Sequence, residues 1–277
     1  MRVIVTGCAG FIGSHLTERL LKAGQDVIGI DDLSAGYIEN IPKGIEFHKM
    51  DICEAPLWIF KDVDVVFHLA ASKKNICLKD PRRDLDVNGK GVLHLLQMCK
   101  KAGVKKFVHS STGSVYGEAD YIDENTPTRP VSYYGCSKLA GESYVNMFDI
   151  DSTVLRYFHV YGIRQETDPK LGGVVAIFKD RISKGLSITI HGDGNQERLF
   201  TRVEDIVEAN IQSRLNPLSK GKTYNCASSK KTTINELAKS LGAKIINYSS
   251  PLEGDIYKFN VNSDKIKELG VTFKDYN

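Results

Sequence analysis

The chain has 277 residues, 42% of them hydrophobic, with 37 basic against 34 acidic side chains and a net charge of +3. That length can bury a full α/β core and carry a smaller second unit. The balanced charge gives no argument for nucleic acid, and no apolar run approaches the ~20 residues that span a bilayer, so neither partner is expected. Six cysteines (8, 53, 77, 99, 136 and 226) lie without paired spacing or histidine companions. No metal site is therefore expected, and the pattern suits reduced thiols in a cytoplasm. Cys8 and Cys136 read as small buried residues. A core strand begins at the second residue, so no signal peptide is expected.

In chain order, Arg2–Thr6 reads as a short buried strand. Gly7, Gly10 and Gly13 follow at intervals of three, and Ser14 to Ala23 then sets Leu16, Leu20 and Leu21 on one side of a helix. Between a strand and a helix, Gly7 would allow the tight turn. Gly10 would let a pyrophosphate approach the backbone, and Gly13 would let the helix pack close. The competing reading is a glycine-rich turn with no ligand. A second strand, Asp26–Ile30, ends at Asp31 and Asp32. A carboxylate at Asp31 can accept hydrogen bonds from both ribose hydroxyls and would repel a 2′-phosphate, which predicts NAD rather than NADP. The alternative makes Asp31 the start of a solvated turn.

Val63–Leu69 is a further buried run, Asp84–Lys101 a long amphipathic helix, and Lys106–His109 and Thr153–Arg156 two more strands. Strict alternation of strand and helix predicts an α/β doubly wound parallel sheet. The composition changes around Gly162–Gly173. We expect residues 1–161 to bind the cofactor and residues 162–277 to be mainly a smaller substrate-binding region, with some segments returning to the first. Within the first region, Tyr134 and Lys138 stand four residues apart, on one face of a helix. An ammonium near a phenol lowers the phenol's pKa, so the pair can act as a general base toward an alcohol near neutral pH. Read alone, such a pair is more often two surface residues.

Taken together, these segments resemble the extended short-chain dehydrogenase/reductase family, specifically its nucleotide-sugar epimerase and dehydratase branch. The resemblance runs through Val5–Leu16, Asp51-Ile52, His68-Leu69-Ala70-Ala71, Asn88, Ser110–Gly117, Tyr134–Lys138 and Leu155–Gly162. It implies a Rossmann-type fold and bound NAD. It implies cofactor contacts from Gly7, Gly10, Phe11, Ile12, Gly13, Asp31 and Asp32. It places Asp51 and Ile52 at the adenine and Leu69, Ala70 and Ala71 in the loop beside the pyrophosphate and ribose, with Asn88 bracing that region from a helix and Lys73 near the site. Tyr134, Lys138 and Tyr157 complete the cofactor set.

Tyr134 would shuttle the proton of a sugar hydroxyl, Lys138 would hold the nicotinamide ribose, and Thr112 would hydrogen-bond the reacting oxygen. Lys73, Thr112, Tyr134, His159 and Arg198 are the substrate-side residues the resemblance implies, with Arg198 at the diphosphate. The family's 4,6-dehydratases carry an acid and a base directly after the catalytic threonine, and its decarboxylases keep a glutamate at the second position. Here those positions are Gly113 and Ser114, neither able to do such chemistry.

The remaining reaction is epimerisation, most often at C4, with NAD regenerated each turnover. The other readings are a keto-sugar reductase or alcohol dehydrogenase, and a non-catalytic NAD-binding protein. Departures from the family pattern are Leu199 after Arg198, His159 in place of asparagine, and Leu252-Glu253-Gly254-Asp255 where a second phosphate-binding arginine is usual. The helices at 84–101 and 132–149 are candidates for pairing in a homodimer.

Overall fold

Strand β1 (Arg2–Thr6) alternates its side chains between two buried faces. On one face Val3 and Val5 pack with Leu16 and Leu20 of helix α1 (Phe11–Lys22). On the other, Ile4 packs with Leu95 and Leu96 of helix α3 (Val92–Ala102). Each such fully buried aliphatic side chain contributes roughly 2 kcal/mol relative to exposure. In this computed structural model, residues 1–72, 80–169, 172–251, 257–258 and 260–276 are described.

The strands β2 (Asp26–Asp31), β3 (Glu46–Lys49), β4 (Val65–His68), β5 (Lys106–Thr112), β6 (Asp151–Tyr157) and β11 (Lys222–Cys226) join β1 in a seven-stranded sheet of order β11-β6-β5-β4-β1-β2-β3. Every pairing in it is parallel. The order reverses between β1 and β4, and in a doubly wound sheet ligands bind in the crevice beyond the strand ends at that reversal. The fold is thus the expected Rossmann-type α/β sheet, wider than the strands read from sequence. The edge strand β3 and the far strand β11 are additions.

Short elements complete the chain. Helix α2 (Pro81–Leu85) continues through a π-turn at Asp86–Gly91 into α3, so the helical run starts before Asp84 and is not regular. Helix α1 begins at Phe11 rather than Ser14, with Gly10 as its N-cap. Helix α4 (Tyr133–Met147) carries the Tyr134/Lys138 pair. After β7 (Val160–Tyr161) come α5 (Val174–Ser183), β8 (Ile188–His191), β9 (Glu197–Leu199), β10 (Thr201–Arg202) and α6 (Val203–Leu215). Then follow β11, β12 (Lys231–Thr233), α7 (Ile234–Ser240) and β13 (Ile246–Ser249).

A separate apolar cluster of Phe178, Ile188, Ile190, Phe200, Leu237 and Tyr276 holds much of this later part together. Helix α6 instead packs back onto α1, β5 and β6, and β11 pairs with β6. Residues 203–226 therefore belong to the layers of the main sheet. No helix among the described residues is long and apolar enough to cross a membrane.

Candidate cofactor and active site

The turn after β1 is built by geometry that only glycine satisfies. Gly7 has φ +72°, and a Cβ there would stand 2.7 Å from the Ala70 amide nitrogen. A Cβ on Gly13 would lie 2.0 Å from the Gly7 carbonyl oxygen. These contacts bring the loops after β1 and β4 together at the sheet's crevice. No side chain caps the α1 N-terminus at Gly10, so its first amides point at the crevice without a protein partner of that kind.

An elongated cleft of about 320 Å³ runs along this crevice. Its middle is walled by Gly7, Gly10, Phe11, Ile12 and Gly13 on one side and by Leu69, Ala70 and Ala71 on the other. Asp31, Asp32, Asp51 and Ile52 line one end. Asp31 is buried, and its carboxylate accepts from the Ala9 amide at 3.0 Å and the Leu33 amide at 2.9 Å. Burial pushes its carboxyl above the ordinary value against the pull of those two bonds. Burial also opposes ionisation of Asp51, but the Cys53 amide and the Arg83 guanidinium outweigh it and hold that carboxyl below the ordinary value. Arg83, Ser34, Gly36 and Ser72 also face the cleft. Arg83 belongs to no motif, which is why the sequence reading missed it. Ser34 and Gly36 follow the Asp31-Asp32 pair and could have been found by extending that turn.

The other end is formed by Tyr134, Lys138, Tyr157, Ser110 and Ser111. Lys138 is 2% exposed and donates to the Ser110 carbonyl at 2.7 Å. Burial pushes its ammonium down to about 8, against the opposing charges of Glu142 and Asp84. Tyr157 shares a 2.9 Å hydrogen bond with Ser110 and accepts from Asn210 at 2.7 Å, and burial raises its phenol. One turn beyond Lys138, the buried Glu142 accepts two bonds from Arg156 Nε and one of 2.6 Å from Nη2, plus the Ser111 hydroxyl. The Arg156 guanidinium lies 4.6 Å from the Tyr116 ring centroid. Asn88, in the π-turn, stands behind the cleft wall: it donates to Asp84 and Ser137 and accepts from the Ser72 amide.

Thr112 ends β5 beside this wall, and its hydroxyl donates to Ser114 Oγ and accepts from the Ser114 amide. It does not line the cleft itself, and neither do His159 and Arg198. His159 has φ +39°, a conformation that asparagine tolerates better, and packs edge-on to Phe200. Arg198 is buried in β9 and donates to the Glu197 carbonyl. Lys73, Cys77 and Leu252–Asp255 lie outside the described residues. At Gly113 the Phe158 ring leaves no space: a Cβ would fall 2.2 Å from Phe158 Cε1. Cys8 is buried, its thiol pushed up to about 12 by burial and by Asp31. Cys136 is exposed, against expectation, because on α4 it lies between the cleft-facing Tyr134 and Lys138 and points away from both.

The set fits a dinucleotide. Glycine-walled backbone in the middle suits a pyrophosphate, carboxylates stand where ribose hydroxyls would lie, and a buried ammonium closes the far end. Residues 3–227 match the model of the NAD dependent epimerase/dehydratase family. The UDP-glucose 4-epimerase of Mycolicibacterium smegmatis is 36% identical over 293 residues, covering 97% of this chain and 92% of the relative. Among solved structures, UDP-glucose 4-epimerase with UDP-glucose from Thermotoga maritima superposes with a TM-score of 0.91 at 35% identity, covering 99% of this chain and 94% of that one. The Thermus thermophilus UDP-glucose 4-epimerase complex with NAD gives 0.90 at 35% identity, covering 98% and 94%. The chain belongs to the NAD-dependent epimerase/dehydratase family.

Proposed function

We propose that this protein interconverts C4 epimers of a nucleotide sugar through a transient 4-keto sugar, with NAD as a resident cofactor. The observation that carries this choice is the pairing of Tyr134 and Lys138 at one end of the cleft with Gly113 sealed under Phe158. Proton transfer from an alcohol is provided for, while the place from which an acid would assist elimination of water is filled by an aromatic ring.

In this reading bound NAD would supply reversible hydride transfer at the sugar carbon, and the residues of the cleft would hold it in place. Gly7, Gly10, Phe11, Ile12 and Gly13 hold its pyrophosphate, with Leu69, Ala70 and Ala71 opposite. Asp31 and Asp32 hold the adenosine ribose, and Asp51 and Ile52 the adenine. Lys138 and Tyr157 fix the nicotinamide ribose, with Asn88 bracing the wall behind. Tyr134 takes and returns the proton of the sugar hydroxyl, and Lys138 supports its ionised form. Thr112 bonds the reacting oxygen once Ser114 releases it. Arg198 supplies charge for the diphosphate, and His159 and Lys73 belong to the sugar side. Residues 1–161 with the returning segment 203–226 carry the cofactor, and the rest of 162–277 carries the sugar nucleotide.

The three UDP-glucose 4-epimerases compared above support a uridine-type substrate, one of them solved with UDP-glucose. Leu85 on α2 and Tyr133 and Met147 on α4 are exposed apolar residues on the two helical runs we propose to pair in a homodimer; light scattering reads that. A cytoplasmic site of action accords with the five free cysteines among the described residues, and cell fractionation tests it.

The function is tested by incubation with UDP-, dTDP- and GDP-sugars and NMR analysis of products. The expected result is a pair of C4 epimers without net NADH. A stable 6-deoxy-4-keto product, or stoichiometric NADH from a simple alcohol, would overturn the reading.

A further inference from the structure

The adenosine end of the cleft contains a cation that none of the motifs accounts for. Arg83 sits on α2, whose start is fixed by Asp80 accepting the Arg83 amide at 3.0 Å. Its guanidinium forks between two carboxylates: Nη1 lies 2.8 Å from Asp51 Oδ2 and Nη2 lies 3.3 Å from Asp32 Oδ2. Each carboxylate spends its other oxygen on its own turn. Asp32 Oδ1 accepts from the Ser34 amide and hydroxyl at 2.9 and 2.6 Å, and Asp51 Oδ1 accepts from the Cys53 amide at 2.9 Å. The three residues tie together the loops after β2 and β3 and the helix beyond β4, and all three line the cleft beside Asp31.

We propose that Arg83 is a specificity-determining residue for the cofactor's adenosine half: held between Asp32 and Asp51, it is kept from any phosphate at the ribose 2′ position. The chemistry follows from charge and geometry. Asp31, Asp32 and Asp51 against one guanidinium leave this end net negative, which disfavours a 2′-phosphate. A guanidinium released from one partner, however, presents the planar fork that suits phosphate oxygens. The cleft therefore carries a latent phosphate ligand, and Asp32 keeps it occupied. Asp31 and Asp32 exclude NADP in two different ways, the first by its own charge and the second by engaging Arg83. The inference rests on NAD binding in this cleft.

Opposite charge changes test it. Asp32→Asn keeps the shape and the turn bonds but frees one arm of Arg83. Arg83→Gln leaves Asp32 and Asp51 without their cation. Nucleotide-free protein is titrated with NAD and NADP, and with 5′-AMP and adenosine 2′,5′-bisphosphate as probes that lack the nicotinamide half. Asp32→Asn is expected to raise NADP affinity relative to NAD on the order of tenfold, and Arg83→Gln to lower that ratio by a similar factor. The double variant should lose the gain of Asp32→Asn. If both single variants weaken NAD and NADP equally, Arg83 is only a brace and the proposal falls. A gain that survives in the double variant overturns it too. Failure of the wild type to bind NAD at all would instead strike the cofactor assignment, which separates the two claims.

Discussion

The two ends of the cleft hold charge in opposite ways. At the end proposed to hold the adenosine, Asp32, Asp51 and Arg83 have side chains between 27% and 37% exposed, and their bonds form beside solvent. At the end that carries Tyr134, the side chains of Lys138, Glu142 and Arg156 are all buried. Water screens the first group, so its pairings are individually weak and exchangeable, which suits selection among nucleotides. The second group is desolvated, so each charge depends on its partner and on the positions of Ser110 and Ser111. A substitution at the buried end should thus change folding and chemistry together, while one at the adenosine end should change mainly which nucleotide binds.

The largest effect expected from breaking this contrast is on the buried pair. Glu142→Ala leaves the Arg156 guanidinium without its carboxylate and frees the Ser111 hydroxyl. Stranding one partner of a buried ion pair costs about 3–5 kcal/mol. Urea denaturation should show that loss. A change under ~1 kcal/mol, the range of exposed pairs, would mean that the two ends do not differ as described.

Next in size is the chemistry. Tyr134→Phe removes the hydroxyl and keeps the ring. Turnover should fall on the order of 10²-fold or more, as for other general acid–base groups. NAD should remain bound, since the ring stays in the cleft wall. Near wild-type turnover in the purified variant would remove Tyr134 from the mechanism.

Lys138 sharpens the comparison because its burial has a sign that can be worked out. Its pKa is pushed down to about 8 in the fold, whereas an unfolded lysine titrates near ~10.4. Below pH 8 both states are charged, and the fold carries the full penalty of a buried ammonium, ~3 kcal/mol. As pH rises from 8 toward ~10.4 the native state sheds its proton first, and the penalty disappears. Lys138→Met should therefore be inactive yet more stable than wild type at pH 7, by about 2 kcal/mol once the lost bond to Ser110 is subtracted. The gain should shrink toward zero by pH 10. A variant less stable than wild type at pH 7 would show that the ammonium is stabilised, not strained, by its surroundings.

What the sequence revealed follows the same division between local and distant causes. Strands β1, β2, β4, β5 and β6 are short apolar runs, buried on both faces, and such runs are visible by themselves. The sequence of β3, Glu46-Phe47-His48-Lys49, has no such run because it lies at the sheet edge. The place of β11 depends on pairing with β6 across some 65 intervening residues, which no local pattern encodes. Helix α1 starts three residues early because Gly10, not a polar N-cap, precedes it. The glycine turn, Asp31, Tyr134 and Lys138 were legible as residues of one cleft because their spacing fixes their placement, at the ends of two neighbouring strands and on one helix face. Arg83 was not, because its partners are 51 and 32 residues away and nothing in its own neighbourhood marks it. The seal of Phe158 over Gly113 was half visible: the missing acid could be read, the ring that fills its place could not.

The smallest predicted effect concerns Asp31, a buried residue beside the half-exposed Asp32, Asp51 and Arg83. Asp32 engages the Arg83 guanidinium, whereas both oxygens of Asp31 accept backbone amides, from Ala9 and Leu33 in the turns beside it. In the proposed binding mode its charge would face the ribose with no neighbouring guanidinium drawn onto it, and burial raises its carboxyl. Asp31→Ala removes the repulsion toward a 2′-phosphate and the acceptor for the ribose hydroxyls at once. NAD affinity should fall and NADP affinity should rise or hold, narrowing the preference by about tenfold, the factor that 1.4 kcal/mol represents. Because Arg83 stays engaged by Asp32 and Asp51, the variant should not come to prefer NADP. Combining Asp31→Ala with Asp32→Asn should carry it across. Fluorescence titrations with both nucleotides read each step, and wild-type protein binding NADP as tightly as NAD would contradict the role given to Asp31.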